Sequence, residues 1–179
     1  SCELWSWRAA LRGALIALIL PLLTTRSAMG DTVPNPTKHV IGSTATITEV
    51  STGLPFAPRV DTGAKSCSLH VEKWEIKDPE KKAVDNIGKS IRFLIKNDEG
   101  ESEWIETLVA GRVRIKSSVH KDGDTQGRYK VRLILQWKDF KKEVLVSLTD
   151  RTDMEYPLLI GRNFLRGDFV VDVEQDSDD

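Results

Sequence analysis

A run of residues whose types could support catalysis lies about a third of the way along the chain, in the sequence RVDTGAKS (residues 59–66). It brings together the carboxyl group of Asp61, the hydroxyl group of Thr62 and the permissive backbone of Gly63, directly after an apolar stretch. A carboxylate held on a sharp loop can take a proton from water, and two carboxylates around one water molecule can together hydrolyse an amide bond. Taken alone, the triplet is equally compatible with an ordinary turn.

A second segment, about 100 residues further on, gives this triplet a structural context. It reads YPLLIGRNFLRGDFVVDV (residues 156–173), where an apolar run ending in Ile160 leads into Gly161 and then into a short helical pattern at Arg162 and Asn163. The combination of DTGA with LLIGRNFL resembles the retropepsin-like aspartic peptidases. In that family, the strand made of apolar residues and a glycine lies beside the Asp-Thr-Gly loop and supports it from below.

Longer motifs make the resemblance closer to one bacterial branch of this family. The matching pieces are RVDTGAKSCSLH, EVLVSLTDRTDMEYPLLIGRNFL and VVDV, and they span about Ile41 to Val173. Members of this branch are labelled ATP-dependent zinc proteases, and some occur together with ATP-grasp glutamate ligases. The resemblance implies an aspartic endopeptidase with three groups of site residues: catalytic Asp61, Thr62 and Gly63; substrate-binding Ala64, Lys65, His70 and Arg162; and a supporting loop of Ile160, Gly161 and Asn163.

The ATP part of this label can be tested on the segment AVDNIGKS (residues 83–90), which fits a permissive phosphate-loop pattern. A phosphate-binding loop needs a buried strand before it and a helix after it, because the helix N-terminus faces the phosphate. Here the polar segment IKDPEKK precedes the pattern and the strand-like segment IRFLIKN follows it. The sequence therefore argues against ATP binding, and no cofactor is predicted.

The zinc part of the label depends on three histidines, which are His39, His70 and His120. They are widely spaced, and the sequence contains no HExxH motif. Cys67 and His70 could join Asp61 in a three-ligand site only if the chain folds back sharply. No metal is therefore predicted. A zinc-dependent peptidase remains an alternative, as does a non-catalytic module of the same fold that binds a peptide or a partner protein.

The catalytic interpretation requires a second carboxylate, and this chain has one Asp-Thr-Gly. Two-lobed aspartic peptidases carry two such loops in a single chain, so a chain of this length needs a homodimer with Asp61 of each subunit at a two-fold axis. Asp153 and Asp172 are alternative second acids, but Thr-Gly follows neither of them. The turn signal NDEGE (residues 97–101) is predicted to form the tip of a flap over the substrate.

One basic residue departs from the family pattern. In viral retropepsins, the second residue after the glycine is acidic and pairs with the arginine of Gly-Arg-Asn, whereas here that position is Lys65. Two cations cannot replace this ion pair. Arg162 therefore needs another carboxylate, for which Asp153 and Asp168 are the candidates.

The charge around the expected acid pair suggests the chemistry of the substrate. Arg59, Lys65, Arg162 and His70 would surround the pair with positive charge, so one hypothesis is an acidic peptide or protein substrate, such as a glutamate-rich tail. The plainer alternative is that these are rim charges with solvated partners.

The whole chain has a net charge of −1, which argues against non-specific binding to nucleic acid.

The elements that must position these residues are mostly strands. Alternating apolar and polar residues, with turn signals between them, predict eight or nine short strands and little helix. We therefore expect an all-β fold, a retropepsin-like closed β-barrel with one short C-terminal helix. Trp74, Trp104 and Trp137 fall on strand patterns and are expected to pack in its core.

The ends of the chain differ in composition from the middle. Basic residues precede the short apolar run ALIALILPLL (residues 14–23), which small residues follow, the layout of a secretory signal. This predicts a periplasmic or secreted bacterial protein that meets a membrane only through an uncleaved signal segment. The predicted organisation is a signal peptide (1–30), a linker (31–38), a retropepsin-like domain (39–174) and an acidic tail (175–179).

Overall fold

The computed structural model of this chain describes residues 37–115 and 126–175. Within these residues, the chain forms twelve β-strands, one short α-helix and one turn of 3-10 helix. The helix α1 spans Arg162–Leu165, and the 3-10 turn spans Ala83–Asn86. The strands are β1 (His39–Ile41), β2 (Ile47–Glu49), β3 (Leu54–Phe56), β4 (Arg59–Val60), β5 (Cys67–His70), β6 (Lys73–Ile76), β7 (Ser90–Lys96), β8 (Ser102–Ile115), β9 (Gln126–Trp137), β10 (Phe140–Thr149), β11 (Leu158–Ile160) and β12 (Phe169–Val171).

The predicted segments at the two ends of the chain fall largely outside this description. The signal peptide (1–30), most of the linker (31–38) and all of the acidic tail (175–179) except its first residue lie outside the described residues, so they stay predictions. The same holds for His120. In the described part of the chain, no helix has both the length and the apolar character that crossing a membrane requires.

Ten of the strands form one sheet, whose main path has the order β4-β11-β5-β10-β9-β8-β7-β6. β2 joins this sheet beside β9 and also pairs with β3, while β1 and β12 form a separate parallel pair. The all-β prediction is confirmed. The predicted closed barrel is wrong: a barrel closes only when its first and last strands pair, and β4 and β6 end the path without pairing to each other among the described residues.

Four consecutive antiparallel strands, β7 to β10, form the centre of this sheet. Alternate residues of a strand point to one face, and in β7 the side chains of Ile91, Phe93 and Ile95 are all fully buried. A hairpin joins β7 and β8, and its turn lies at residues 97–101, where the sequence has the turn signal NDEGE. This part of the fold follows the alternation in the sequence closely.

One cluster of buried apolar side chains forms the core, and both the main sheet and the β1–β12 pair contribute residues to it. α1 contributes Phe164 and Leu165 to this cluster. Trp137 is buried in it, as predicted, but Trp74 and Trp104 are 51% and 41% exposed, so their predicted core positions are wrong. Alternation shows that a strand has two different faces, but an aromatic residue near the sheet edge can lie on the outer one.

Candidate active site

Asp61 directly follows β4, where β4 and β11 run side by side. The two strands are parallel, with Leu159 opposite Arg59 and Ile160 opposite Val60. The backbone N–H of Asp61 donates a hydrogen bond to the carbonyl oxygen of Ile160 at 2.9 Å. Since β11 also pairs with β5 on its other side, it lies between the strands that enter and leave the Asp-Thr-Gly loop.

The carboxylate of Asp61 is held by its own loop. Its Oδ1 atom accepts hydrogen bonds from the backbone N–H groups of Gly63 at 2.8 Å and Ala64 at 3.2 Å. A Cβ atom added at Gly63 would lie 3.1 Å from this oxygen, so a side chain there would crowd the carboxylate. Within residues 37–115 and 126–175, Oδ2 accepts no hydrogen bond, which leaves that oxygen for an external partner.

The rest of this loop is open to solvent. Thr62 and Lys65 are exposed, and neither side chain has a hydrogen bond or an ion pair among the described residues. Ala64 is half-buried, and its carbonyl oxygen accepts a hydrogen bond from the N–H of Arg162 at 2.9 Å. α1 therefore begins in direct contact with the loop that carries Asp61.

The side chain of Arg162 is exposed, and no carboxylate of the described residues lies within 4.0 Å of it. The predicted pairs of Arg162 with Asp153 or Asp168 are therefore wrong. The Asp168 carboxylate is instead held by Lys142, whose Nζ atom lies 2.6 Å from Oδ2. Lys142 also donates to two carbonyl oxygens around the end of α1, so it fixes this helix to β10.

Asn163 joins three segments of the chain behind the loop. Its Oδ1 atom accepts hydrogen bonds from the N–H of Cys67 at 2.9 Å and from its thiol at 3.2 Å, and its Nδ2 atom donates to the carbonyl oxygen of Leu145 at 2.8 Å. Gly161 is equally constrained, because a Cβ atom there would lie 2.6 Å from the backbone carbon of Ser66. The predicted supporting residues thus pack against the strand that follows the loop.

The thiol of Cys67 is fully buried in this arrangement. Burial raises its pKa from 9.0 to about 11, and hydrogen bonding with the backbone of Gly161 offsets this only in part. The N–H of Gly161 donates to the Sγ atom at 3.4 Å. Cys67 therefore stays a protonated thiol at physiological pH, which suits a packing residue and not a nucleophile or a metal ligand.

His70 lies at the far end of β5 from the Asp61 loop. It lies four residue steps along extended chain from Ser66, a span of about 13 Å. Its Nδ1 atom accepts a hydrogen bond from the backbone N–H of Arg151 at 2.9 Å and lies 3.8 Å from the Oδ1 atom of Asp150. The structure therefore places the four predicted substrate-binding residues in two locations, with Ala64, Lys65 and Arg162 near Asp61 and His70 apart from them.

The turn predicted as a flap tip is tied to the body of the protein. The carboxylate of Asp98, in the middle of the turn, accepts a hydrogen bond from the N–H of Ala57 at 2.7 Å.

The two alternative second acids lie on other elements. Asp172 follows β12 and donates its N–H to the carbonyl oxygen of Ile41, and Asp153 lies in the exposed segment between β10 and β11.

The residues considered for zinc do not converge. In the described residues, no group of three or more histidine, cysteine, aspartate or glutamate side chains has the arrangement of a metal site. His39 packs against the rings of Trp137, Phe140 and Phe169. With Cys67 protonated, the present donors do not fit a catalytic zinc ion.

The segment that fits a phosphate-loop pattern has a different structure. Residues 83–90 form the 3-10 turn and then lead into β7, so a strand follows, as the pattern IRFLIKN predicts. Lys89, at the position of the phosphate-binding lysine, pairs with Glu80 at 2.9 Å. This segment therefore lacks the helix whose N-terminus would face a phosphate.

Two further arginines, Arg128 and Arg151, lie near His70. Arg151 is half-buried and donates to the carbonyl oxygen of Tyr156 and to the hydroxyl of Ser68. Arg128, on β9, is also half-buried, and its Nε atom is fully buried without a hydrogen-bond partner. No local motif brings these residues together, because they are 23 positions apart and meet only through the pairing of β9, β10 and β5.

Known proteins with similar sequences or structures were compared with this chain. Two curated relatives, from Shewanella pealeana and Shewanella halifaxensis, are each named a probable alpha-L-glutamate ligase and are 29% identical over 136 residues. These alignments cover 75% of this chain but only 28% of the relatives. A crystal structure of a Legionella pneumophila protein of unknown function is 27% identical, with a TM-score of 0.61, and the match covers 79% of this chain and 98% of that one.

A family model matches residues 40–177, which include the Asp61 loop, β11 and α1. The model is described as RimB-like, retropepsin-like aspartic endopeptidase RimB. The matched range covers most of the chain and contains every described element except the first residue of β1. With its Asp61 loop supported by an apolar strand and a short helix, this chain belongs to the RimB-like family of retropepsin-like aspartic endopeptidases.

Proposed function

We propose that this chain is an aspartic endopeptidase that works as a homodimer, with a water molecule activated by Asp61 of both subunits. The observation that carries the proposal is the state of the Asp61 side chain. Two backbone N–H groups fix its Oδ1 atom, while Oδ2 has no partner among the described residues. A carboxylate that is oriented in this way, but not consumed by a salt bridge, is suited to general acid–base chemistry.

The reaction follows from the repulsion between two like charges. When two carboxylates lie about 3 Å apart, one keeps a proton and the other is ionised. The ionised member takes a proton from the water as its oxygen attacks the scissile carbonyl carbon, and the protonated member donates its proton to the carbonyl oxygen. The C–N bond of the tetrahedral intermediate then breaks: the protonated carboxyl group gives its proton to the leaving nitrogen, and the other carboxylate takes a proton from a hydroxyl group of the intermediate, which restores a pair with one proton.

The requirement for a second copy rests on what one chain supplies. The sequence contains one Asp-Thr-Gly, and no other carboxylate in the described part of the chain forms a hydrogen bond with Asp61 or its loop. Thr62 and Gly63 are exposed beside Asp61. A two-fold axis near these residues would bring two equivalent carboxylates to one water molecule.

The proposed substrate is an acidic peptide that contains glutamate. Arg59, Lys65 and Arg162 are exposed around the loop, and none has an ion-pair partner among the residues described. Charges of one sign at a cleft attract a substrate of the opposite sign. The names of the two Shewanella relatives, glutamate ligases, are consistent with a glutamate-containing substrate, and a location in the periplasm or outside the cell remains part of the proposal.

The decisive test is cleavage by an Asp61→Asn variant. We expect it to reduce hydrolysis of a glutamate-rich peptide by at least about 1,000-fold, because an amide cannot exchange the catalytic proton. Asp139→Asn, in the exposed turn between β9 and β10, is the matched control and should keep full activity. Equal cleavage by the wild type and Asp61→Asn would overturn the proposal, and equal rates on glutamate-rich and glutamine-rich peptides would overturn the acidic substrate.

Two alternatives give different results in the same assay. A zinc-dependent peptidase would lose activity in a chelator and regain it with zinc. A binding module without turnover would bind the peptide but cleave it in neither the wild type nor the variant. The proposal predicts cleavage by the wild type that a chelator leaves unchanged.

A further inference from the structure

The strand β8 changes its partner part of the way along its length. Its residues 102–108 pair with β7, and its residues from Val109 onward pair with β9. β9 also changes its partner, because Leu135 and Gln136 lie beside β2 instead of β8. Where β8 and β9 separate, residues 105–110 of β8 and 132–134 of β9 line a groove of about 610 Å³, which we call the fork groove.

The edge of β8 that faces away from β7 is open before the two strands meet. On β7, the carbonyl oxygen of Ser90 accepts a hydrogen bond from the N–H of Lys77, directly after β6, so Ser90 faces β6. The next residue of β7 faces β8 in turn, where it pairs with Thr107. Trp104 and Glu106 therefore direct their N–H and C=O groups to the opposite edge, where no described residue forms a backbone hydrogen bond with them.

This open edge lacks the features that usually protect an edge strand. Natural edges are often very short, or are blocked by lysine, proline or a bulge. β6, which ends the main path of the sheet, has four residues and includes Lys73. Residues 102–109 of β8 read SEWIETLV, with neither lysine nor proline, and the bulge of β8 comes only after Val109. An edge of this kind is suited to pairing with an added strand.

The groove beside this edge has an apolar lining. Its lining residues Val109 and Leu133 are buried, whereas Ile87, Leu108 and Ile134 are 43–58% exposed. Exposed apolar side chains that cluster in one groove indicate contact with another molecule, unlike apolar residues scattered singly. An extended peptide fits both features, since its backbone can pair with the strand edge and its side chains can fill the groove.

The charged groups that line the fork groove sum to −2. They are the carboxylates of Glu49, Glu106 and Glu143 and the guanidinium group of Arg132. Arg132 and Glu143 pair with each other at 3.1 Å, so their charges cancel. The Glu49 carboxylate is buried and accepts four hydrogen bonds from its own turn, which leaves Glu106 as the carboxylate that can meet a ligand.

Glu106 is exposed and has room for a further partner. One of its oxygens accepts a hydrogen bond from the hydroxyl of Ser90 at 2.8 Å. Arg92 lies opposite it on β7, but the guanidinium group of Arg92 stacks on the ring of Trp104 and pairs with Glu75 at 3.8 Å. A basic side chain on a bound segment would therefore find an acceptor on the open edge itself.

A second copy of the chain is a poor occupant of this edge. Antiparallel pairing of two such edges would bring Glu103 and Glu106 of one copy next to the same residues of the other, and like charges opposite each other destabilise a strand pair. Residues 102–109 contain no lysine or arginine to offset them. The charge of the edge thus favours a different polypeptide, which supplies the basic residue.

We propose that the fork groove binds an extended segment of a partner protein, which adds a strand to β8 beside Trp104 and Glu106. The segment alternates apolar residues, which contact the groove, with at least one lysine or arginine, which pairs with Glu106. The site is separate from the Asp61 loop, because β11, β5 and β10 lie between β4 and β9, about 19 Å along the sheet. It does not depend on the proposed peptidase function.

Calorimetric titration of the full chain tests this site, with Asp61→Asn in place so that no peptide is hydrolysed. The first probe is a seven-residue peptide of alternating valine and lysine. The second has glutamate in place of lysine, and the third has the first sequence with every backbone nitrogen methylated. The first peptide should bind, and the other two should bind at least about 10-fold more weakly, because one brings like charges together and the other cannot donate to the strand edge.

A substitution in the groove tests where the first peptide binds. Leu108→Lys should weaken its binding by at least about 10-fold, because it places a like charge in an apolar contact. The matched control is Val40→Lys, since Val40 is an exposed apolar residue of β1 outside the groove, and it should change binding less than 2-fold. Because both side chains are exposed, neither change disturbs the core.

Hydrogen exchange of single amides, followed by NMR, reports on the backbone edge directly. The first peptide should slow exchange at Glu106 by at least about 10-fold and leave Thr107, which already pairs with β7, unchanged. Slower exchange in the Asp61 loop instead of at Glu106 would overturn the inference. So would no binding of the first peptide, equal binding of the lysine and glutamate peptides, equal effects of Leu108→Lys and Val40→Lys, or protection of Glu106 that grows with protein concentration alone, which would mark a second copy as the occupant.

Discussion

Asp61 and Cys67 are six residues apart and lie in opposite environments. Asp61 is partly exposed, held through one oxygen by the amides of its own loop, and retains a second oxygen without a partner in the described structure. Cys67 is fully buried, and its thiol lies between Gly161 and Asn163. At the residue scale, the Asp61 side chain is oriented for acid–base chemistry. The Cys67 side chain instead holds β5, the strand that follows the Asp61 loop, against Gly161 and Asn163.

The buried thiol makes a prediction about stability at high pH. The raised pKa of Cys67 means that its thiol ionises near pH 9.0 in the unfolded chain and near pH 11 in the folded chain. The contribution of the protonated thiol to the stability of the fold is therefore complete below pH 9 and is lost as the pH rises to about 11. The expected loss is about 3 kcal/mol in the free energy of unfolding, measured by urea denaturation at several pH values.

The control for this prediction is Cys67→Ala. Lysine and tyrosine side chains also ionise in this range, so the informative quantity is the difference between the two proteins. The variant should be less stable at pH 8 because a buried group is lost, and its disadvantage should shrink as the pH approaches 11. Parallel curves for the two proteins would contradict the assigned role of the thiol.

At the scale of elements, the site depends on how β11 and α1 are attached to the strands around them. Asn163 is the main connection, since its amide group joins the backbone of Cys67 on β5 to the backbone of Leu145 on β10. Lys142 adds a second connection by binding Asp168 and carbonyl oxygens around the end of α1. These contacts keep the apolar strand next to the Asp61 loop.

Asn163→Ala should lower both stability and catalysis. It leaves a backbone donor and a backbone acceptor without partners, and we expect a loss of about 2–4 kcal/mol in the free energy of unfolding. The matched control is Asn86→Ala, because Asn86, a buried residue, is likewise bonded through both ends of its amide, to Glu80 and Tyr129. Both variants should be less stable, but only Asn163→Ala should lower kcat; equal effects of the two variants on kcat would contradict a positioning role.

The elements around Asp61 could be predicted because each one is determined by residues that are adjacent in the sequence. LLI forms β11, RNFL forms α1, and the alternation of IRFLIKN forms β7. Contacts between distant residues could not be predicted in the same way, as the hydrogen bond between Asn163 and Cys67 illustrates. No local pattern states which strands become neighbours, and the same limit explains why the closed barrel was wrong.

At the scale of the whole molecule, the account depends on a second copy of the chain. β4 ends the main path of the sheet, and Asp61 follows it directly, next to the exposed residues Thr62 and Gly63. One copy supplies one oriented carboxylate, whereas the proposed reaction needs two. The central claim is therefore that two Asp61 side chains meet across a two-fold axis.

Disulfide trapping tests this claim most directly. The full chain with Asp61→Cys and Cys2→Ser is oxidised mildly, Cys67 being buried and unreactive, and Asp139→Cys in the same background is the control for random collision. Two cysteines are joined only when their Cα atoms come within about 7 Å. The account predicts a covalent dimer of about 40 kDa, twice the 20.1 kDa of one chain, for the Asp61→Cys protein and not for the Asp139→Cys control. A protein that stays at the mass of a single chain, or one that crosslinks no better than the control, would contradict it.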